Sequence, residues 1–196
     1  MYFDRDEARE RLLFLYQPLC AIDSKLADTK YMIKHIIILI GLKGSGKTYI
    51  GTLIQDKLGI KFFRVENIWL SLTTERLSNE YIIEGFGKVE KELDRLLKDT
   101  DWITIESTGT TDYFTTFLGN IKTRYDVKLV KIKTNPELCL KRVKSRDSSI
   151  HVPVSDNIVD KINRDALKVD LQYDLIVNND KSTDKEIIES IQKIIK

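Results

Sequence analysis

Eight residues carry the clearest chemistry in this chain: Gly41-Leu42-Lys43-Gly44-Ser45-Gly46-Lys47-Thr48 fits the phosphate-binding pattern G-x-x-x-x-G-K-[ST]. Glycines let such a loop curl with its N–H groups turned inward, which makes a nest for an anion. A helix beginning at Lys47 aims its positive end at the same point. Lys47 is placed to reach β- and γ-phosphates, and the Thr48 hydroxyl to ligate Mg²⁺. The nucleotide-binding set read from this segment is Gly41, Lys43, Gly44, Ser45, Gly46, Lys47, Thr48 and the following Tyr49. Asn178 joins it, because the polar Asn178-Asn179-Asp180 turn stands at a strand end where it can meet a base edge.

Other acids and bases sit where transfer of a phosphoryl group needs them. Glu106 closes the apolar run Trp102-Ile103-Thr104-Ile105, and an acid at the carboxyl end of a parallel strand can hold Mg²⁺ through water. Glu66 closes Phe62-Phe63-Arg64-Val65. There a carboxylate can orient an attacking hydroxyl and take its proton; it is equally an acid favoured by a helix dipole. Arg142 and Arg146 are four apart on one helical face, joined by Lys141 and Lys144. With the exposed stretch 147–153 they suit a lid that closes over the moving phosphoryl group. Arg164 lies further along the same basic region.

The elements that must position these groups alternate. His35–Ile40 reads as a strand buried on both faces. Lys47–Leu58 reads as a helix closed by Gly59. Strands follow at Lys61–Val65, Trp102–Glu106, Val127–Lys133 and Leu175–Asn178. Helices are expected over Ile68–Arg76, Tyr81–Lys98, Asp112–Arg124, from Pro136, over Val154–Val169 and over Thr183–Ile195. Strand–helix alternation implies α/β architecture with a parallel sheet and right-handed crossovers. Residues 1–34 form an N-terminal helical extension, with an amphipathic helix over Asp4–Leu19, ahead of a domain spanning 35–196.

The chain has 196 residues, 32 Lys+Arg against 30 Asp+Glu, and a formal charge of +2, so electrostatics give no reason to expect nucleic acid as a partner. Cys20 and Cys139 lie apart among apolar residues, as buried free thiols do. No apolar run reaches the ~20 residues of a membrane span, and no signal-peptide pattern opens the chain. A cytoplasmic protein, monomer or homodimer, is expected.

Taken together these segments resemble the P-loop small-molecule and nucleotide kinases, above all the shikimate kinase and gluconate kinase group. Leu58-Gly59-Ile60-Lys61-Phe62-Phe63-Arg64-Val65-Glu66 is similar to that group's L-G-x-x-F-x-D-x-D, with Arg64 in place of the first acid and Glu66 in place of the second. Phe86-Gly87-Lys88-Val89-Glu90 is similar to F-R-x-x-E, but Gly87 replaces the arginine that grips a substrate carboxylate. Ser107-Thr108-Gly109 stands at the glycine-rich substrate turn, and the R-P-L segment after the lid is missing. The resemblance implies a P-loop NTPase fold of three α/β/α layers, strand order 2-3-1-4-5, a helical insert near 67–100 and a lid near 146–153. It implies ATP and Mg²⁺ as cofactors and a small-molecule acceptor: a small metabolite, nucleoside or nucleotide, with shikimate argued against. The competing reading is an ATPase or regulatory nucleotide switch that passes phosphate only to water.

Overall fold

The central strand is the most apolar segment of the chain. In the computed structural model, which describes residues 33–76, 78–145 and 155–196, β1 (His35–Ile40) has Ile36, Ile37, Ile38 and Leu39 fully buried. Each such side chain contributes about 1.5–3 kcal/mol by leaving water. Successive side chains point to opposite faces, so the strand feeds two cores. Ile36, Ile38 and Ile40 pack with Val89, Leu93, Phe114 and Phe117 on one face, while Ile37 and Leu39 pack with Ile50, Ile54, Ile187 and Ile191 on the other. That division produces three layers.

The remaining elements follow in chain order: α1 (Lys47–Leu58), β2 (Lys61–Phe62), α2 (Glu66–Ser71), α3 (Asn79–Leu96), β3 (Trp102–Ser107), α4 (Asp112–Lys122), β4 (Asp126–Lys133), α5 (Pro136–Lys144), α6 (Asp156–Lys168), β5 (Leu175–Asn178) and α7 (Asp184–Ile194). The five strands are all parallel, in the expected order β2-β3-β1-β4-β5. Local signals set the helix ends. Gly59 closes α1 in the left-handed conformation, Ser78 and Thr111 cap α3 and α4, and Thr183 with Glu186 forms a capping box on α7.

Two expectations needed revision. The second strand stops at Phe62 rather than Val65; Val65 already has helical angles as the N-cap of α2. The helix expected over Ile68–Arg76 starts with Glu66 and ends at Ser71. Leu72 turns extended (ψ 138°) to bury its side chain, and Thr73-Thr74 follow, a poor continuation for a helix. The expected helix over Asp4–Leu19 and the lid expected near 146–153, with Arg146, lie outside the described residues. Ile33–Lys196 forms one compact unit. No helix among the described residues is long and apolar enough to cross a membrane.

Gly51 of α1 lets the Phe62 ring pack on the helix backbone; a Cβ there would lie 2.5 Å from a ring carbon, whereas a Cβ at Gly119 of α4 would meet nothing within 4 Å. Gly51→Ala is expected to lower unfolding free energy by about 1–3 kcal/mol. Gly119→Ala should raise it by about 0.5–1 kcal/mol. Urea unfolding of the two variants beside the parent checks both.

Candidate functional site

Sheet register decides which carboxylate meets the phosphate loop. Because β1 pairs with β3 on one side and β4 on the other, Leu39 stands opposite Glu106 and Ile40 opposite Ser107. The loop leaving β1 therefore emerges beside the carboxyl end of β3, at the switch point where open α/β sheets bind ligands. The consequence is direct: the Thr48 hydroxyl hydrogen-bonds both Glu106 carboxylate oxygens, at 3.1 and 2.9 Å. Those two residues come from segments 58 positions apart.

The loop has the shape of an anion cradle. Gly44 and Gly46 have φ of +90° and +92°. A Cβ on Gly44 would fall 2.2 Å from the Cys139 carbonyl oxygen, so only glycine fits between the loop and α5. Gly46 is the N-cap of α1 and makes no side-chain capping bond, and the first turn holds no acid. No side-chain cap claims the first-turn N–H groups of α1, and the helix's positive end faces the cleft. Lys47 is buried and donates to the Gly41 and Leu42 carbonyls at 2.9 and 2.8 Å, which draws the loop around its ammonium group. These features fit the phosphates of a nucleotide. The Thr48–Glu106 pair, one hydroxyl and one carboxylate, is a donor set of the hard-oxygen kind that Mg²⁺ takes when water and phosphate complete its shell. Among the described residues no group of three or more His, Cys, Asp or Glu gathers to hold a metal by itself.

Other residues of the expected set have distinct fates. Ser45 is fully buried with its hydroxyl turned inward, so it serves the loop through its backbone. Lys43 lines the cleft. Arg142 points to the loop, its guanidinium 3.5 Å from the Gly44 carbonyl oxygen. Arg164 is exposed on α6. The Tyr49 hydroxyl turns away, held by Asp184 at 2.8 Å, and that hydrogen bond raises the phenol pKa. The Asn178 side chain shapes its own turn by accepting from the Asp180 N–H. Its neighbour Asn179 is the one that reaches the loop, donating to the Ser45 carbonyl at 2.8 Å. Asn163 of α6 is a second contributor that sequence reasoning missed. Its carboxamide oxygen accepts from Lys43 N–H at 2.7 Å and its amide donates to Lys43 O at 3.2 Å. Both are asparagines without motif or spacing; only a polar residue on the apolar side of an amphipathic helix hinted at Asn163.

One cleft of about 510 Å³ joins these groups to Glu66. Its walls include Gly44, Lys47, Thr48 and Glu106 at one end and Glu66, Trp69, Arg76, Tyr81, Phe86 and Phe117 beyond. Glu66 is the first residue of α2 and half-buried; Arg64, two residues before, is not part of the wall. Tyr81 is almost wholly buried and donates to the Trp69 carbonyl at 3.0 Å. Burial raises its pKa, with the Arg76 charge lowering it and the Glu66 charge raising it. Gly87 is exposed, and a Cβ there would meet nothing.

No family model matches the chain, and no curated protein does. The fold itself recurs in solved kinases. A sugar kinase from Janibacter sp. HTCC2649 aligns with a TM-score of 0.59 at 16% identity, over 83% of this chain and 94% of that one. Shikimate kinase from Aquifex aeolicus aligns with a TM-score of 0.56 at 20% identity, over 82% and 95%. An APS kinase from Mycobacterium tuberculosis, in complex with AMPPNP and APS, aligns with a TM-score of 0.54 at 18% identity, over 83% and 96%. The likeness at these identities is one of fold, and it is the fold that the sequence resemblance implies.

Asn163→Ala removes the carboxamide that holds Lys43 in the loop and strands a backbone N–H, a loss of about 1–3 kcal/mol. Calorimetric titration with ATP is expected to show binding weakened by about tenfold or more.

Proposed function

We propose that this chain is an ATP- and Mg²⁺-dependent kinase that transfers the γ-phosphoryl group to a hydroxyl of a small molecule. The observation that carries the reading is one cleft whose walls include both the phosphate loop with the Thr48–Glu106 pair and a half-buried carboxylate, Glu66. Phosphate sites alone serve switches and ATPases as well; a walled space beyond them, with an acid in it, is what an acceptor requires. Kinases of the same fold support the reading, among them one with AMPPNP bound. The cytoplasm, where ATP is plentiful, is the matching compartment.

The roles follow from position. The N–H groups of Gly44 to Thr48 and the dipole of α1 hold the β- and γ-phosphates. Lys47 exchanges its bonds to the Gly41 and Leu42 carbonyls for phosphate oxygens. Thr48 and Glu106 would hold Mg²⁺, which when bound would supply charge neutralisation on the transferring group. Glu66 accepts a hydrogen bond from the acceptor hydroxyl and takes its proton. A bond forms between the hydroxyl oxygen and the γ-phosphorus, the bond from that phosphorus to the β,γ-bridging oxygen breaks, and ADP leaves with the electron pair. Arg142 beside the loop, with Arg146, offsets charge on the phosphoryl group in flight.

ADP release measured over a panel of hydroxylated small molecules tests the proposal. At least one acceptor should raise turnover well above the rate with water. If none does, while ATP is still hydrolysed, the chain is an ATPase or switch and the kinase reading is lost. Lys47→Ala should remove ATP-dependent turnover altogether. With the acceptor in hand, Glu66→Gln should lower kcat by about 10²–10⁴-fold. ATP affinity should stay unchanged in that variant, which separates lost proton transfer from lost nucleotide binding.

A further inference from the structure

The far end of the cleft has an unusual wall for a site that would take a polyol or a sugar acid. Trp69, Phe86 and Phe117 form a continuous aromatic surface: the Trp69 and Phe86 rings meet edge to face at 5.3 Å and 86°, and Phe86 lies 5.1 Å from Phe117. Room for the indole is made by Gly85, where a Cβ would sit 1.8 Å from a Trp69 ring carbon. Ile82, Val89 and Ile105 extend the wall.

Several of the polar side chains that line the same cleft are engaged within the protein. The Tyr81 O–H is spent on the Trp69 carbonyl. The hydroxyls of Thr108 and Thr110 bond each other at 3.0 Å, and Ser107 accepts from the Gly109 N–H at 3.1 Å. Beside Tyr81 the cleft carries two charged side chains, Glu66 and Arg76, both close enough to act on its phenol. A compound with hydroxyls all round its ring would leave several unpaired against the aromatic wall, each one a loss of affinity. A flat ring with a polar edge and a separate hydroxyl matches better. The ring stacks on the aromatic surface, the Arg76 guanidinium meets acceptor atoms on the ring edge, and the hydroxyl faces Glu66.

The geometry points to a nucleoside as the phosphoryl acceptor, its base held by Trp69, Phe86 and Phe117 and its sugar hydroxyl at Glu66. This deepens the kinase reading and rests on it for the chemistry, but the base site can be tested by binding alone. The chain has two tryptophans. Trp102 stacks on His35 at 4.1 Å, at the start of β3, whereas the cleft lies beyond the strand's carboxyl end. The Trp102→Phe variant of the full chain therefore leaves Trp69 as the single indole reporter.

With ADP and Mg²⁺ saturating, so that the phosphate-loop site is filled, this protein is titrated with ribo- and deoxyribonucleosides, gluconate, shikimate and benzyl alcohol. A saturable change in Trp69 fluorescence is expected with at least one nucleoside and with none of the other three. Phe86→Leu, which keeps an apolar side chain and removes the ring, should weaken that binding by about tenfold. Arg76→Met, at an exposed position and so harmless to folding, should weaken it as well. Saturation by gluconate or shikimate, equal binding of benzyl alcohol, silence with every nucleoside, or an unchanged affinity in both variants each overturns the assignment. Nucleoside binding without nucleoside-stimulated ADP release upholds the base site and removes the phosphoryl-transfer reading instead.

Discussion

The carbonyl oxygen of Ser45 is turned into the protein, and two side chains from the far half of the chain hold it there. Thr134, just past β4, donates at 2.9 Å, and Asn179, just past β5, donates at 2.8 Å. A buried carbonyl left unpaired would cost about 1–3 kcal/mol, so the carboxyl ends of these strands stabilise the loop's curl. Asn163 adds a third tie at Lys43. The nest is thus preorganised from outside itself: its glycines permit the curl, and the strand ends and α6 select it.

That dependence reaches the rest of the cleft. Once the loop is fixed, α1 is fixed, and with it Thr48 against Glu106. The Phe62 ring, at the end of β2, packs on Gly51 of α1, and α2 begins four residues later with Glu66 as its first residue. A carboxylate in the first helical turn is favoured by the dipole in any case, so its siting in the cleft costs the fold little.

How much of this is legible in the sequence depends on the range over which a residue acts. The phosphate loop, the buried β1 and the capped helices are local patterns, and the structure has them where the sequence puts them. The strand order came from resemblance, not periodicity, and it alone brings Glu106 to Thr48. Illegible were Asn163 and Asn179, which act across 120 and 134 positions of chain. An asparagine in a helix or turn has ample local uses, so nothing in its neighbourhood marks it as a strut for a distant loop. The short β2 and the early end of α2 were missed for a related reason. Tertiary burial of Leu72 overrode a helical pattern that the local residues allowed.

Gly85 stands where α3 and the Trp69 indole touch, with no space for even one methyl group between them. Any larger residue at that position must push the indole away from the helix. The phosphate-loop end of the cleft does not touch this position, so the change would be felt at the aromatic wall. Position 85 is therefore a volume dial: a single codon there sets how closely the indole lies against α3, and with it the room in the cleft, while the phosphate loop stays as it is.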